Sequence, residues 1–315
     1  KNKRYGFFPG AMVAWRISEE PWWKEQVTWI DYLKLRTSVS QTGNDVLTDN
    51  DGNTDRSIQY LNSFGFQTNG VIFDGSEERQ LYPVRTPNKN ITWERGTTWD
   101  IGAEMKFLNN RLNIEGDLFY HKRTDMLIPR NASLPETAGI TLPLENLGEM
   151  ENKGFDALIS WNDKIGKVEY ELGLNMSYAR NKILFWDETP GIPEYQKSTG
   201  KPVPTSGTLA NLINRAGLYY KTDGVFNTQE ELDNYPHWTG ARLGDIKFVD
   251  YNNDGKINAD DRVRSDKNQT PRLVTGFNVG LSWNHFDMAM LFQAAFGAET
   301  YVQTWSGTVG NFLKE

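Results

Sequence analysis

The sequence predicts an all-β chain, an antiparallel transmembrane β-barrel segment of eight strands, and three observations carry that reading. Apolar residues recur at every second position, short and long connections alternate between those stretches, and aromatic residues gather near the stretch ends. Period 2 puts successive side chains on opposite faces of a strand, whereas an amphipathic helix repeats every 3.6 residues. One apolar face backed by Gly, Asn, Glu and Ser suits lipid outside and a wet lumen inside.

The first two stretches, near 8–17 and 31–41, alternate weakly and are joined by a link carrying Trp22, Trp23 and Trp29. Clear alternation starts with Trp99, Ile101, Ala103, Met105 and Phe107, against Asp100, Gly102, Glu104 and Lys106. Asn109-Asn110 tolerates the positive φ of a tight turn. Leu112, Ile114, Gly116, Leu118 and Tyr120 then oppose Asn113, Glu115, Asp117 and His121, with Phe119 as the exception. Phe155, Ala157, Ile159 and Trp161 lead through a turn into Val168, Tyr170, Leu172, Leu174, Met176 and Tyr178. The last pair runs from Leu273 to Trp283, turns at Asn284-His285, and returns from Phe286 to Phe296. Trp99, Ile101, Ala103, Met105, Phe107, Leu172, Leu174, Phe277, Val279, Leu281, Met288 and Met290 are expected to face lipid. Glu104, Glu115, Asp117, Glu171, Asn175 and Asn278 are expected to face the lumen.

Short links (18–30, 109–110, 163–166, 284–285) alternate with long ones (42–95, 124–152, 181–271), which are read as external loops. Outer-membrane barrels have this asymmetry, with short periplasmic turns and long loops outside. A soluble antiparallel sandwich is the competing reading. Strands of 11 or more residues exceed its usual ~5–6, and Trp15, Trp99, Tyr120, Trp161, Tyr178 and Trp283 sit where interface girdles belong.

Composition narrows the function. The 315 residues carry 34 Lys+Arg and 41 Asp+Glu, a net charge of −7, with no concentrated basic stripe for a nucleic acid. The absence of cysteine removes disulfide scaffolds, thiolate metal sites and cysteine nucleophiles. No apolar run reaches the ~18–20 residues of a spanning helix. Lys1-Asn2-Lys3-Arg4-Tyr5 is not followed by the apolar stretch of a signal peptide, and both ends are expected to be internal to a longer chain.

The sharpest motif runs from Asp250 to Asp261. Asp250, Asn252 and Asp254 stand at positions 1, 3 and 5, Gly255 at 6, the Lys256 carbonyl at 7, Asn258 at 9 and Asp261 at 12. Oxygen donors at that spacing suit a hard cation such as Ca²⁺. Asp in place of Glu at position 12 weakens bidentate ligation, no amphipathic helix flanks the loop, and a metal-free polar turn is the alternative. His121, His237 and His285 fit no catalytic motif, and His237 is read as ordinary loop packing. Adjacent acids such as Glu19-Glu20 and Glu230-Glu231 are read as solvated rather than as a glycosidase pair.

Several phrases together resemble the barrel of SusC-like TonB-dependent transporters. They include Phe8-Pro9-Gly10-Ala11-Met12, Leu33-Lys34-Leu35-Arg36-Thr37-Ser38, Ile91-Thr92-Trp93-Glu94 and Phe107-Leu108-Asn109-Asn110-Arg111-Leu112. Tyr120 to Leu127, Asn146 to Phe155 and Gly244-Asp245-Ile246-Lys247-Phe248-Val249-Asp250 complete the set, collinear over essentially the whole chain. The resemblance implies a barrel of about 22 strands with a plugged lumen, all of residues 1–315 being part of that one domain and its open edges completed by other segments. It further implies import of oligosaccharides or peptides across a bacterial outer membrane, a SusD-like surface lipoprotein over the external loops, the TonB–ExbB–ExbD complex in the periplasm, and no catalysis by this chain. Tyr60, Phe64, Phe66, Phe73, Tyr219, Tyr220, Phe226, Tyr235 and Trp238 are the loop aromatics expected to be exposed for partner or ligand contact, with packing inside the loops as the competing explanation. The alternative function is a surface-exposed, calcium-stabilised glycan-binding β protein without transport.

Overall fold

The computed structural model describes residues 5–45, 60–73, 75–85, 87–130, 142–203, 217–267 and 269–299. In chain order its strands are β1 (Gly10–Trp15), β2 (Ile30–Asn44), β3 (Ser63–Phe73), β4 (Ser76–Arg85), β5 (Glu94–Phe107), β6 (Leu112–Ile128) and β7 (Glu145–Ile165). They continue with β8 (Val168–Phe185), β9 (Leu218–Tyr220), β10 (Thr222–Val225), β11 (Ile246–Phe248), β12 (Arg262–Arg264), β13 (Leu273–Trp283) and β14 (Phe286–Phe296). Among the described residues two short helices, α1 (Pro21–Gln26) and α2 (Gln229–Asn234), lie in connections.

Eight strands make one antiparallel sheet in the order β1-β2-β5-β6-β7-β8-β13-β14, the eight stretches of the period-2 pattern, each beside its sequence neighbour. The register lines up apolar side chains in rows. Leu33, Met105, Ile114, Ile159, Leu174, Phe277 and Phe292 face one another strand by strand. Glu104 is opposite Glu115, Gly102 is opposite Asp117, and Asn175 is opposite Gly276, all on the reverse face. The expected division into an apolar face and a polar face therefore holds in the register.

The apolar band has the height of a membrane. β13 has 11 residues; the ten steps between them, at ~3.4 Å each and a tilt of ~40°, rise about 26 Å, against a band of ~25 Å in outer-membrane barrels. Aromatic pairs mark both edges. Trp99 and Tyr120 lie 5.5 Å apart and Phe155 and Tyr178 5.8 Å apart at the loop end. At the turn end Trp29 stacks on Phe107 at 5.8 Å, Trp283 on Phe286 at 6.3 Å, and Trp161 Nε1 donates to Tyr170 Oη at 3.3 Å. The tight turn at Asn109 and Asn110 takes the predicted positive φ, and Asn284 at 53° and Leu108 at 56° share it.

Two expectations need correction. β6, β7 and β8 are 17, 21 and 18 residues long, so they run beyond the apolar band and shorten the connection expected at 124–152. The other long connections are not plain loops. One holds the β3–β4 hairpin, and the last holds β9 paired with β12 and β10 paired with β11. Above the band, Met126, Ile128, Ile183 and Trp186 form a buried cluster with Met150 and Val203. A register shift between Arg123 and Met126, with Asp125 at φ 56°, turns those side chains inward.

Arginine at Leu174 is expected to destabilise the full-length barrel in lipid by about 2–4 kcal/mol, and arginine at the neighbouring Asn175 by far less. Equilibrium unfolding from lipid vesicles measures both; equal costs would refute the facing.

Candidate functional site

The lumen face carries a charge hub. Arg36, on β2, reaches across β5 to β6, where Nε donates to Asp117 Oδ1 at 3.0 Å and Nη2 to Glu115 Oε1 at 2.9 Å; Nη1 also bonds Glu104, which Lys34 Nζ meets at 2.9 Å. One planar guanidinium with five donors serves three carboxylates, a geometry lysine does not offer. The crossing needs Gly102, which the register places between Arg36 and Asp117. A Cβ there would lie 2.7 Å from Arg36 Nε and closer still to Asp117 Oδ1.

The same device recurs along the wall. Asn278 lies over Gly173, Asn175 over Gly276, Phe119 over Gly154, and His121 with Thr42 over Gly96. Each pair joins a long side chain to a glycine on an adjacent strand, so the side chain lies along the sheet. Phe119, the exception in the alternation, finds its place in this way.

At the mouth a second polar network forms. Glu94 accepts from Asn44 Nδ2 at 3.1 Å, Arg123 Nη2 at 2.9 Å and the Leu127 N–H at 3.1 Å. Beside it His121 Nδ1 shares a hydrogen bond of 2.7 Å with Thr98 Oγ1. Asn44, Glu94, His121 and Arg123 line a cavity of about 270 Å³ with Thr42, Gly43, Arg95 and Gly96. Asn146 ties this rim together, donating to the carbonyls of Thr92 and Asp125 at 3.0 and 2.7 Å and accepting from Thr92 N at 2.9 Å. Neither Arg36 nor the Glu94 network stood out as a site in the sequence, because each contact spans about thirty to eighty residues and becomes visible only in the register.

The 250–261 loop is ordered by its own side chains. Asp250 accepts from Asp254 N at 3.2 Å and Gly255 N at 2.8 Å, Asn252 from Asp254 N at 3.0 Å, and Asp254 from Lys256 N at 2.8 Å. Asn252 and Asn258 both turn their amide nitrogens to Asp254 Oδ2, at 3.0 and 3.4 Å. Asp261 is fully buried, taking Tyr251 N at 2.9 Å and Asn258 N at 2.8 Å. Among the described residues no three Asp, Glu, His or Cys side chains form a metal-holding group. Asp250, Asn252, Asp254 and Asn258 thus draw together while Asp261 serves as a buried cap. A turn at Glu194–Gln196 clasps the loop: Tyr195 Oη donates to the Asp260 carbonyl at 2.8 Å, and Gln196 Nε2 reaches those of Ala259, Asp260 and Arg262.

The loop aromatics divide. Phe64 and Phe66 on β3 are 60% and 72% exposed, Tyr219 is exposed on β9, and Tyr60 is half-buried. The side chain of Phe73 lies outside the described residues. Phe226, expected to be exposed, is instead 1% exposed and sits with Tyr235 and His237 at 6.1 and 6.2 Å. Phe248 lies between Tyr220 and Trp238, at 5.0 and 5.2 Å, which leaves those two half-buried as well. β11 brings Phe248 into place by pairing with β10, and four of the nine aromatics are thereby used as a small core of the loop itself.

The family model described as TonB dependent receptor-like, beta-barrel matches residues 1–311. The chain belongs to that family. It is 30% identical over 314 residues to TonB-dependent receptor P3 of Formosa agariphila, covering 95% of this chain and 29% of that protein. TonB-dependent receptor SusC of Bacteroides thetaiotaomicron is 23% identical over 96% of this chain and 28% of its own length. Among solved structures, that of the RagAB peptide transporter superposes with a TM-score of 0.63 at 20% identity, over 94% of this chain and 30% of the matched one. The chain spans under a third of each of these relatives. As a TonB-dependent receptor barrel, it lies in the bacterial outer membrane, with its apolar face in lipid; this removes the soluble sandwich.

Gly154→Ala is expected to destabilise the barrel by about 1–3 kcal/mol, because its Cβ meets the backbone carbonyl of Tyr178, which cannot swing away. Gly116→Ala, whose nearest neighbour is 3.8 Å away, is the control, expected within about 0.5 kcal/mol.

A second outcome concerns acid. The Asn252 amide, and then the Lys256 N–H, hold the Asp254 carboxyl below the usual carboxylate range. A depressed carboxylate stabilises the loop above its ordinary pKa of about 3.9 and loses that contribution as pH falls through the lower folded value. Hydrogen exchange of the 254–258 amides, corrected for intrinsic rate, is expected to stay slow at pH 5 and to quicken only below about pH 4; quickening already at pH 5 to 6 would contradict the assignment.

Proposed function

We propose that the whole protein imports oligosaccharides or peptides across the outer membrane, driven by TonB with ExbB and ExbD and acting with a SusD-like lipoprotein seated on the external loops. The observation that carries this reading is the sheet itself: a continuous apolar band outside and a polar wall inside, matched to the receptor-barrel family over nearly its full length. The edges at β1 and β14 pair with further strands, since unpaired backbone in lipid costs several kcal/mol per group. The polar wall lines the import path. Phe64, Phe66 and Tyr219 are the exposed aromatics for a partner surface or for stacking on sugar rings. No catalytic step falls to this chain.

The 250–261 loop is proposed to take Ca²⁺ through Asp250, Asn252, Asp254, the Lys256 carbonyl, Asn258 and Asp261. Its donors are all oxygen, as a hard cation requires, and Gly255 at φ 78° gives the sharp turn. A half-turn of the Asn252 and Asn258 amides would present oxygen in place of the nitrogen each now turns to Asp254. The cation would offset the mutual repulsion of these carboxylates and stiffen the loop.

Deletion of the full-length gene is expected to abolish uptake of the oligomer on which the cell depends, and the protein purified from detergent-solubilised membranes to bring a lipoprotein with it. Intact uptake together with purification of the protein alone would refute the import reading. Millimolar Ca²⁺ is expected to protect the loop from proteolysis, with Asp254→Ala abolishing the protection; cleavage indifferent to chelator would remove the metal and leave the import reading standing.

A further inference from the structure

Where β6, β7 and β8 emerge from the apolar band, their outer face changes character within two residues. Tyr120, Phe155 and Tyr178 close the band, and the next outward-facing positions are Lys122, Lys153, Arg180 and Lys182. The register sets Tyr120 beside Lys153, Lys153 beside Arg180, Lys122 beside Glu151, and Glu151 beside Lys182, so the four cations form one patch. Two acids share it: Glu149 pairs with Lys122 at 2.8 Å, and Glu151 pairs with Lys153 at 3.6 Å while accepting from Tyr120 Oη at 3.0 Å. Glu151 is nearly buried under these contacts, while Lys153, Arg180 and Lys182 are exposed. Arg180 and Lys182 have no ion pair of their own among the described residues. The nearby acid, Asp266, is bound by Lys201 at 2.7 Å. The patch keeps a surplus of two positive charges at the height where the lipid chains end and the headgroups begin.

We propose that this patch is a binding site for the phosphorylated, anionic headgroup of an external-leaflet lipid. Position and chemistry both support it. The patch continues the lipid-facing surface without a break, so any lipid whose chains lie on Phe155 and Tyr178 has its headgroup against Lys153 and Arg180. Its chemistry is complementary as well, since Arg180 supplies a planar fork and Lys182 and Lys153 supply point charges for phosphate oxygens. Ordinary solvated charge would not need a cationic surplus confined to the outward face directly above an aromatic girdle.

The test uses full-length protein in nanodiscs of phosphatidylcholine containing a small fraction of fluorescent phosphatidic acid, whose enrichment around the protein is read by energy transfer. Each cation near a charged lipid surface contributes about a fivefold gain in affinity. Arg180→Gln with Lys182→Gln is expected to weaken enrichment by roughly 25-fold, Arg180→Gln alone by about fivefold, and Arg180→Lys with Lys182→Arg to leave most of it. The single variant serves if the double one fails to fold. Enrichment unchanged by either glutamine variant would overturn the proposal. Displacement of the lipid by inorganic phosphate at concentrations matching the lipid would overturn the headgroup assignment, since the site would then be a free-anion site.

Discussion

Inside a bilayer no water is available to satisfy a peptide N–H or carbonyl, and the whole architecture follows from that shortage. Each strand crossing the lipid must give its hydrogen bonds to the strands on either side, so the sheet runs in strict neighbour order and the crossings are long. Short connections suffice at one end, because two antiparallel strands need only a few residues to turn. At the other end the chain is released from the constraint, and there it builds the β3–β4 hairpin and two further two-stranded sheets, whose open edges the membrane would not permit. The position of those additions on one side of the sheet is the topological mark of the rule.

The strands were legible in the sequence because lipid on one face and water on the other impose the simplest of patterns. Leu174 and Asn175 could be assigned to opposite sides with no knowledge of their neighbours. The hub at Arg36 could not. Its partners come from strands 68 and more residues away, and which of several acids it meets is decided by register, which no single strand's alternation reveals. Phe119 is apolar on a polar face because Gly154 opposite it leaves room for the ring, a pairing that its own strand does not reveal. Phe226 misled for a related reason: an aromatic in a long connection looks available when the connection is taken to be structureless, and it becomes core once β10 and β11 pair and fold the segment onto itself.

The 250–261 loop illustrates how a ligand-like motif can also be a structural one. Asp250, Asn252 and Asp254 accept backbone N–H groups that a turn of this shape would otherwise leave unpaired, and Asp261 does the same in full burial. The spacing that suits a cation is also the spacing at which short polar side chains reach their own backbone two to five residues on. The clasp by Tyr195 and Gln196 then ties the loop to a turn more than sixty residues earlier in the chain, so the order of this segment is shared with the region just above β8.

The glycines beneath Asn278, Asn175, Phe119 and the Arg36–Asp117 pair bear on the dimensions of the bore. A side chain that stands straight out from a wall narrows the passage by its full length, whereas one folded flat into the gap over a glycine takes little of the cross-section. The polar lining can thus be rich in hydrogen-bonding groups while its relief stays shallow. At these glycines a solute moving along the wall would meet side chains laid flat against the sheet, with their polar atoms still within reach.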